Sequence, residues 1–158
     1  MTRVLTAADI AGIHQALAQF AHTFDNDDID SLGEAFSTDV TVENTIGAGY
    51  SVPGLAAAAA FTRRRRPDTP DHQTHDSVVL VGDDDKVRVR SRYIATLVDG
   101  TVHAGDYFDE VERTDDGWRI TYRISVPRNP PLTAVKLSDE FLEPWRPTPG
   151  RLAVPAEE

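Results

Sequence analysis

Between Phe20 and Phe36 the chain reads FAHTFDNDDIDSLGEAF, with aspartates at 25, 27, 28 and 30. Apolar residues recur on both sides, so a chain heading into a core is interrupted by carboxylates. A solvated turn, or a cap on a following helix, accounts for Asp27 and Asp28. Asp25 has a second reading, in which it points back into a pocket and takes part in proton transfer. The polar residues that could meet it are His75, Tyr93, Asn44 and Tyr107. Imidazole is the side chain that exchanges a proton near neutral pH. A carboxylate on its Nδ1 fixes the tautomer and raises the basicity of Nε2. Phenol and amide groups can then donate to an oxyanion as it develops. His72 and His75 have HxxH spacing, but no third ligand falls at a recognisable distance, so neither a metal nor any other cofactor is expected. His14 and His22 read as surface or packing residues of a helix, and His103 as surface beside a hairpin turn.

These groups need elements to position them. Thr6 followed by AADIAGIHQALAQFAHTF predicts an amphipathic helix, with Asp9 completing a variant capping box. Ile10, Ile13, Leu17, Phe20 and Phe24 form its apolar stripe. Ile29, Leu32, Ala35 and Phe36 predict a second, shorter helical stripe. DVTVENT (39–45) alternates as a strand, IGAGYSVPG reads as loop, and GLAAAAAFTRRRR predicts another helix. Four strands follow, over 74–81, 87–98, 101–114 and 118–126, separated by GDDDK, DG and DDG turns. Helices gathered in the N-terminal half and a run of hairpin-linked strands predict the α+β class.

Period-two alternation sorts the strand residues into faces. Val87, Val89, Ser91, Tyr93, Ala95 and Leu97 turn towards the helices, and Arg88, Arg90 and Arg92 towards solvent or an interface. Trp118, Ile120, Tyr122, Ile124 and Val126 share one face, opposite Arg119, Thr121 and Arg123. Both faces of 101–114 carry polar groups, which leaves its orientation open. A curved sheet with helices on its concave side encloses a pocket. A polar group that points inward there is informative, since burying it unpaired costs about 1–3 kcal/mol. Trp118 reads first as core and second as a pocket residue.

The bulk properties exclude several function classes. With 158 residues the chain forms one domain with a real core, and a net charge of −10 opposes nucleic-acid binding. The lone basic run Arg63–Arg66 reads as a solvated helix end. Cysteine is absent, which removes thiolate chemistry. No apolar run has signal-peptide or membrane-spanning character, so the expectation is a cytoplasmic protein without a membrane partner.

FDNDDIDSLGEAFSTDV, then TH before an apolar strand, then GDYFDEVERTDDGWRITYR resemble the SnoaL-like proteins of the nuclear transport factor two-like superfamily, including scytalone dehydratase and polyketide cyclases. The resemblance covers about Ile10 to Pro127. It implies a cone-shaped, curved antiparallel sheet with the N-terminal helices on its concave face, over residues 1–127. Residues 128–158 form a proline-rich C-terminal extension. The resemblance places Asp25 and His75 at the family's hydrogen-bonded acid–base pair, with Asn44, Tyr93, Tyr107 and Trp118 as substrate-binding candidates. It implies a cofactor-independent cyclase, dehydratase or isomerase acting on a hydrophobic oxygenated molecule, such as a polyketide- or terpenoid-like intermediate. A homodimer is expected, with a trimer as the other option. The alternative is a noncatalytic binding or assembly module resembling the small subunit of a ring-hydroxylating dioxygenase. The sequence departs from the dehydratase pattern at Phe24 and Asn44, where tyrosines are expected, and at Thr96 and Leu97, where a second histidine is expected. The Asp–Arg–Asp pattern of limonene-type epoxide hydrolases is not evident, with Arg92 and Arg123 as the arginines that keep it open.

Overall fold

The first helix, α1 (Ala7–Asp25), begins at the cap its sequence predicts. A computed structural model describes residues 3–65, 69–131 and 135–156. In it the Asp9 N–H donates to Thr6 Oγ1 at 3.1 Å, and the Thr6 N–H donates back to the Asp9 carboxylate at 2.9 Å. The backbone and hydroxyl of Thr6 hold Asp9 down at about 2, with a further contribution from the Trp118 indole. The stripe of Ile13, Leu17 and Phe20 is buried as expected, while His14 and His22 are exposed. The second stripe forms a 3-10 helix over Ile29–Glu34.

The sheet has six strands: β1 (Phe36–Asn44), β2 (Tyr50–Pro53), β3 (Asp71–Val81), β4 (Val87–Thr96), β5 (Val102–Thr114) and β6 (Gly117–Asn129). Their order is β2-β1-β6-β5-β4-β3, with β1 and β6 parallel and the other neighbours antiparallel. The sheet is curved and unclosed, and α1 packs on its concave face. Helix α2 (Leu55–Arg65) covers β1 and β2. The short β2 lies within a segment whose glycines and proline read as loop. Of the basic run, Arg63 pairs with Asp30 and Arg64 lies over the Phe61 ring, while Arg66 falls outside the described residues.

Two apolar cores lie back to back across the sheet. The larger, between the concave face and the helices, includes Ile13, Leu17, Phe20, Phe36, Val79, Val89, Tyr107, Val111 and Ile120. The smaller lies on the convex face, where Leu80, Phe108, Ile124 and Val126 meet Trp145. Trp145 comes from the C-terminal segment, which forms α3 (Asp139–Leu142) and a 3-10 turn (Glu143–Trp145). The segment continues along β3, where the Val81 N–H donates to the Arg151 carbonyl and the Ala153 N–H to that of Val79.

This covering changes the reading of the arginine face of β4. Arg88 is buried beneath the Trp145 ring, its guanidinium 5.6 Å from the ring centre. It is bidentate with Asp84 at 2.9 and 2.7 Å. Towards the other end, buried Asp106 faces Arg92 at 2.9 Å, Arg90 at 3.5 Å and Arg128 at 3.6 Å. Charge on this strand is therefore paired within the chain.

Candidate active site

A cavity of about 260 Å³ lies between α1, α2 and the concave face of the sheet. Aromatic and aliphatic side chains such as Phe20, Phe24, Phe36, Val52 and Phe61 form most of its wall. Into this apolar surface the strands deliver His72, Tyr93, His103, Tyr107 and Arg123, with Asn44 and Ser125 beside them.

Asp25 is the last residue of α1. A carboxylate there opposes the helix dipole, whose negative end lies at the C-terminus. Two hydrogen bonds from one residue hold it. The His72 N–H donates to Oδ2 at 2.6 Å, and His72 Nδ1 lies 2.7 Å from Oδ1. An ionised carboxylate only accepts, so Nδ1 carries a proton, and in the neutral imidazole the lone pair is then on Nε2. Both side chains are largely covered, with 13% and 12% exposure for Asp25 and His72. The His72 ring also packs edge-on against Phe20 and Phe24, at 5.7 and 5.3 Å between ring centres. These contacts fix its plane as well as its tautomer.

The expected partner, His75, is not the one Asp25 meets. His75 is exposed and pairs across the sheet with Arg92, on the convex side. The reason is a bulge. The β3–β4 register shifts between His75 and Val78, and Asp76 there has a φ of +48°. Beyond the bulge Val79 and Val81 face the concave core; before it His72 and Thr74 do, opposite Ala95 and Tyr93. One extra residue inverts the parity of the strand. Strict alternation backwards from Val79 would have turned His75 inward. The polar run QTHDS ahead of VVLV is the available signal, since aspartate tolerates a left-handed backbone better than most residues.

A second bulge places Arg123. The β5–β6 register shifts between Glu110 and Val111, whose partners are Tyr122 and Ile120, leaving Thr121 extra. Trp118 and Ile120 therefore join the concave core, while Tyr122, Ile124 and Val126 turn to the convex one. Arg123 and Ser125 are brought to the cavity. Arg123 is 1% exposed, and its Nε and Nη2 donate to the two oxygens of fully buried Asp109 at 2.7 and 2.8 Å. Its guanidinium lies 4.3 Å from the ring centre of Phe20 and 4.2 Å from that of Tyr107. Burial pushes the Asp109 carboxyl up, and Arg123 acts against that rise. Nothing in the local composition marks this bulge; the opposite charges of Asp109 and Arg123 on neighbouring strands are the signal that a pairing argument could have used.

Tyr93 and Tyr107 stack at 4.5 Å between ring centres, inclined by 20°. Burial raises Tyr93 to about 12, with Asp106 and Tyr50 adding to it, and burial raises Tyr107 further. Both phenols stay protonated and remain donors. Gly105 makes room for the stack: a Cβ there would lie 2.7 Å from Tyr93 Cε1 and 2.2 Å from the Val126 carbonyl oxygen.

Asn44 lines the cavity, but its amide is engaged. Nδ2 donates to Ser125 Oγ at 2.7 Å and Oδ1 accepts from the Ile46 N–H at 2.6 Å, which ties the end of β1 to β6. Trp118 is not a wall of the cavity. It is buried near the start of α1, with Nε1 donating to Asp9 at 3.2 Å, and it leaves no space for a side chain at Gly12. His103, expected at the surface, reaches the cavity wall. Among the described residues no cluster of three or more His, Asp or Glu side chains could hold a metal ion.

The profile of the SnoaL-like domain family matches residues 5–124, and the chain belongs to that family. Solved structures share the architecture at low identity. A protein of unknown function with a cystatin-like fold from Nostoc punctiforme aligns with TM-score 0.69 at 16% identity, covering 81% of this chain and 97% of that one. A putative scytalone dehydratase from Novosphingobium aromaticivorans aligns with TM-score 0.62 at 16% identity, covering 76% and 84%. ActVI-ORFA from Streptomyces coelicolor aligns with TM-score 0.63 at 12% identity, covering 75% and 96%. Among curated proteins, nothing matches the sequence. These likenesses show an α+β fold with a curved sheet. No described helix is long and apolar enough to cross a membrane.

Proposed function

We propose that the protein is a cofactor-independent acid–base enzyme, a cyclase, dehydratase or isomerase, with Asp25 and His72 as its proton-transfer pair. Its substrate would be a hydrophobic oxygenated molecule such as a polyketide- or terpenoid-like intermediate. The observation that carries this reading is the doubly bonded Asp25–His72 pair at the wall of an apolar cavity. The carboxylate orients Nδ1–H and stabilises the imidazolium once Nε2 has taken a proton. A proton alpha to a carbonyl, or on a hydroxyl, is the natural target. The Tyr93 and Tyr107 hydroxyls, kept protonated by burial, can donate to the oxygen that gains charge. Cyclisation, dehydration and isomerisation all begin with this transfer. Kinship with dehydratase- and cyclase-like folds supports the reading.

The test is exchange of the α-protons of 2-tetralone with D2O, followed by proton NMR. The wild type should accelerate exchange, and His72→Ala should lower the rate by about 10²–10⁴-fold. Equal acceleration by wild type, His72→Ala and Asp25→Asn would remove the pair from the mechanism. Tight ketone binding with no acceleration would favour the noncatalytic binding module. The proposal includes a homodimer formed through the convex face beyond the C-terminal segment, where Ile94 and Val102 are exposed. A monomer in sedimentation velocity at micromolar concentration would remove that part.

A further inference from the structure

Arg123 is the one arginine on the cavity wall among the described residues, and the pairing with Asp109 does not use all of it. Nε and Nη2 are satisfied by the carboxylate, but Nη1 is buried with no hydrogen-bond partner among the described residues. A buried guanidinium nitrogen without an acceptor is costly, and natural cores seldom leave one. A purely structural ion pair would not need it. The pair is also held far more firmly than charge balance requires: two bonds to Asp109, and aromatic rings at 4.3 and 4.2 Å. Those rings, Phe20 and Tyr107, line the cavity too, and His72 packs on the same Phe20 ring. The imidazole of His72 and the side chain of Arg123 thus line one and the same space.

We infer that Arg123 Nη1 is the hydrogen-bond donor for the oxygen of the bound molecule, and that this oxygen belongs to a neutral carbonyl or phenol rather than a carboxylate. The inference rests on the acid–base reading above. The charge argument sets the ligand class. Asp109 neutralises Arg123, so the pair presents a directed N–H without net positive charge. A carboxylate would bring an unmatched charge into an apolar cavity whose wall residue His72 is already backed by the Asp25 carboxylate. A carbonyl oxygen accepts the hydrogen bond without that penalty. When His72 Nε2 takes the α-proton, the C–H electron pair becomes the new carbon–carbon π bond and the carbonyl π pair moves onto oxygen. The resulting oxyanion is then met by an N–H fixed in advance. The proton on His72 balances the charge and is returned to the product.

A cavity of this size suits a bicyclic molecule, and 2-naphthol mimics the enol of the exchange probe. Binding of 2-naphthol, naphthalene and 2-naphthoate is measured by calorimetry at pH 6.5 and 8.5. Naphthol should bind about tenfold tighter than naphthalene or better, equally at both pH values, with naphthoate weakest. Arg123→Met with Asp109→Leu replaces the pair by apolar residues and should abolish the naphthol preference while keeping naphthalene affinity. Arg123→Lys keeps a charge for Asp109 but removes the second donor edge, and should abolish the preference as well; circular dichroism and thermal melting verify both folds. Equal affinity for naphthol and naphthalene in the wild type would overturn the inference, as would a preference that survives in either variant. Tightest binding by naphthoate would overturn the ligand class. His72→Ala should keep the naphthol preference, so loss of exchange in that variant tests the acid–base pair separately.

Discussion

His72 and Arg123 line one cavity, each held by a carboxylate, and the two pairs are built differently. Asp25 and His72 come from the end of a helix and the start of a strand, 47 positions apart, and remain partly accessible. Asp109 and Arg123 are cross-strand neighbours in the middle of the sheet, 14 positions apart, and are sealed. The first contains an imidazole, a side chain able to exchange a proton. The second contains a guanidinium, which is not. A group that exchanges protons needs access to the molecule it serves. A group that orients that molecule gains from rigidity and from a low local dielectric. On the function proposed above, proton transfer belongs to the edge of the sheet and positioning to its centre.

The largest effect should follow from breaking the sealed pair on one side only. Asp109→Ala leaves the Arg123 charge buried and uncompensated, and urea unfolding should show a loss of about 3–5 kcal/mol. Removing both charges in the Arg123→Met, Asp109→Leu variant should return stability to within about 1–2 kcal/mol of wild type. A double variant as unstable as the single one would mean that the pair contributes net stability through its geometry. Asp25→Asn preserves shape and should cost only about 1–2 kcal/mol. Its effect on 2-tetralone exchange should nevertheless be the larger, about a hundredfold. If its stability loss matched that of Asp109→Ala, the distinction between the two pairs would collapse. The smallest effect lies at alkaline pH. Tyr93 titrates at about 12 in the folded protein, against an ordinary 10.0. The folded state thus holds this phenol proton more tightly than the unfolded chain. That contribution to stability is fully present below pH 10 and is lost as pH rises through 10 towards 12. Phenolate absorbance at 295 nm should therefore develop late, and a Tyr93→Phe variant should lose the earliest part of that late component, the rest belonging to Tyr107 and Tyr122.

Legibility in the sequence followed the range of the interactions. The Thr6–Asp9 capping box was readable because its groups lie within one turn. The apolar stripe of α1 was readable because helical period and burial coincide. The inward direction of Tyr93 was readable because β4 has no bulge between Val87 and Thr96. Tyr107 was nominated although both faces of β5 carry polar residues, and its neighbours across the sheet decided its side. His72 was missed in favour of His75, and Arg123 was set opposite Trp118 and Ile120, whose face it shares, for one shared reason. Period-two reasoning propagates a single parity along a strand, and in both strands one inserted residue reverses it. Trp118 sits on the concave side, but beside the start of α1, where it closes the core instead of the cavity.

By itself, then, the sequence determined most of the segments that become helices and strands, β2 excepted, that the fold is α+β, and that Asp25 at the end of the first helix is a candidate for chemistry. Those properties arise from backbone preferences and apolar periodicity, which act over a few residues. The tertiary structure alone decided which histidine meets Asp25 and which arginine enters the cavity. Both outcomes depend on how neighbouring strands absorb one surplus residue, and that balance is struck between segments far apart in the chain.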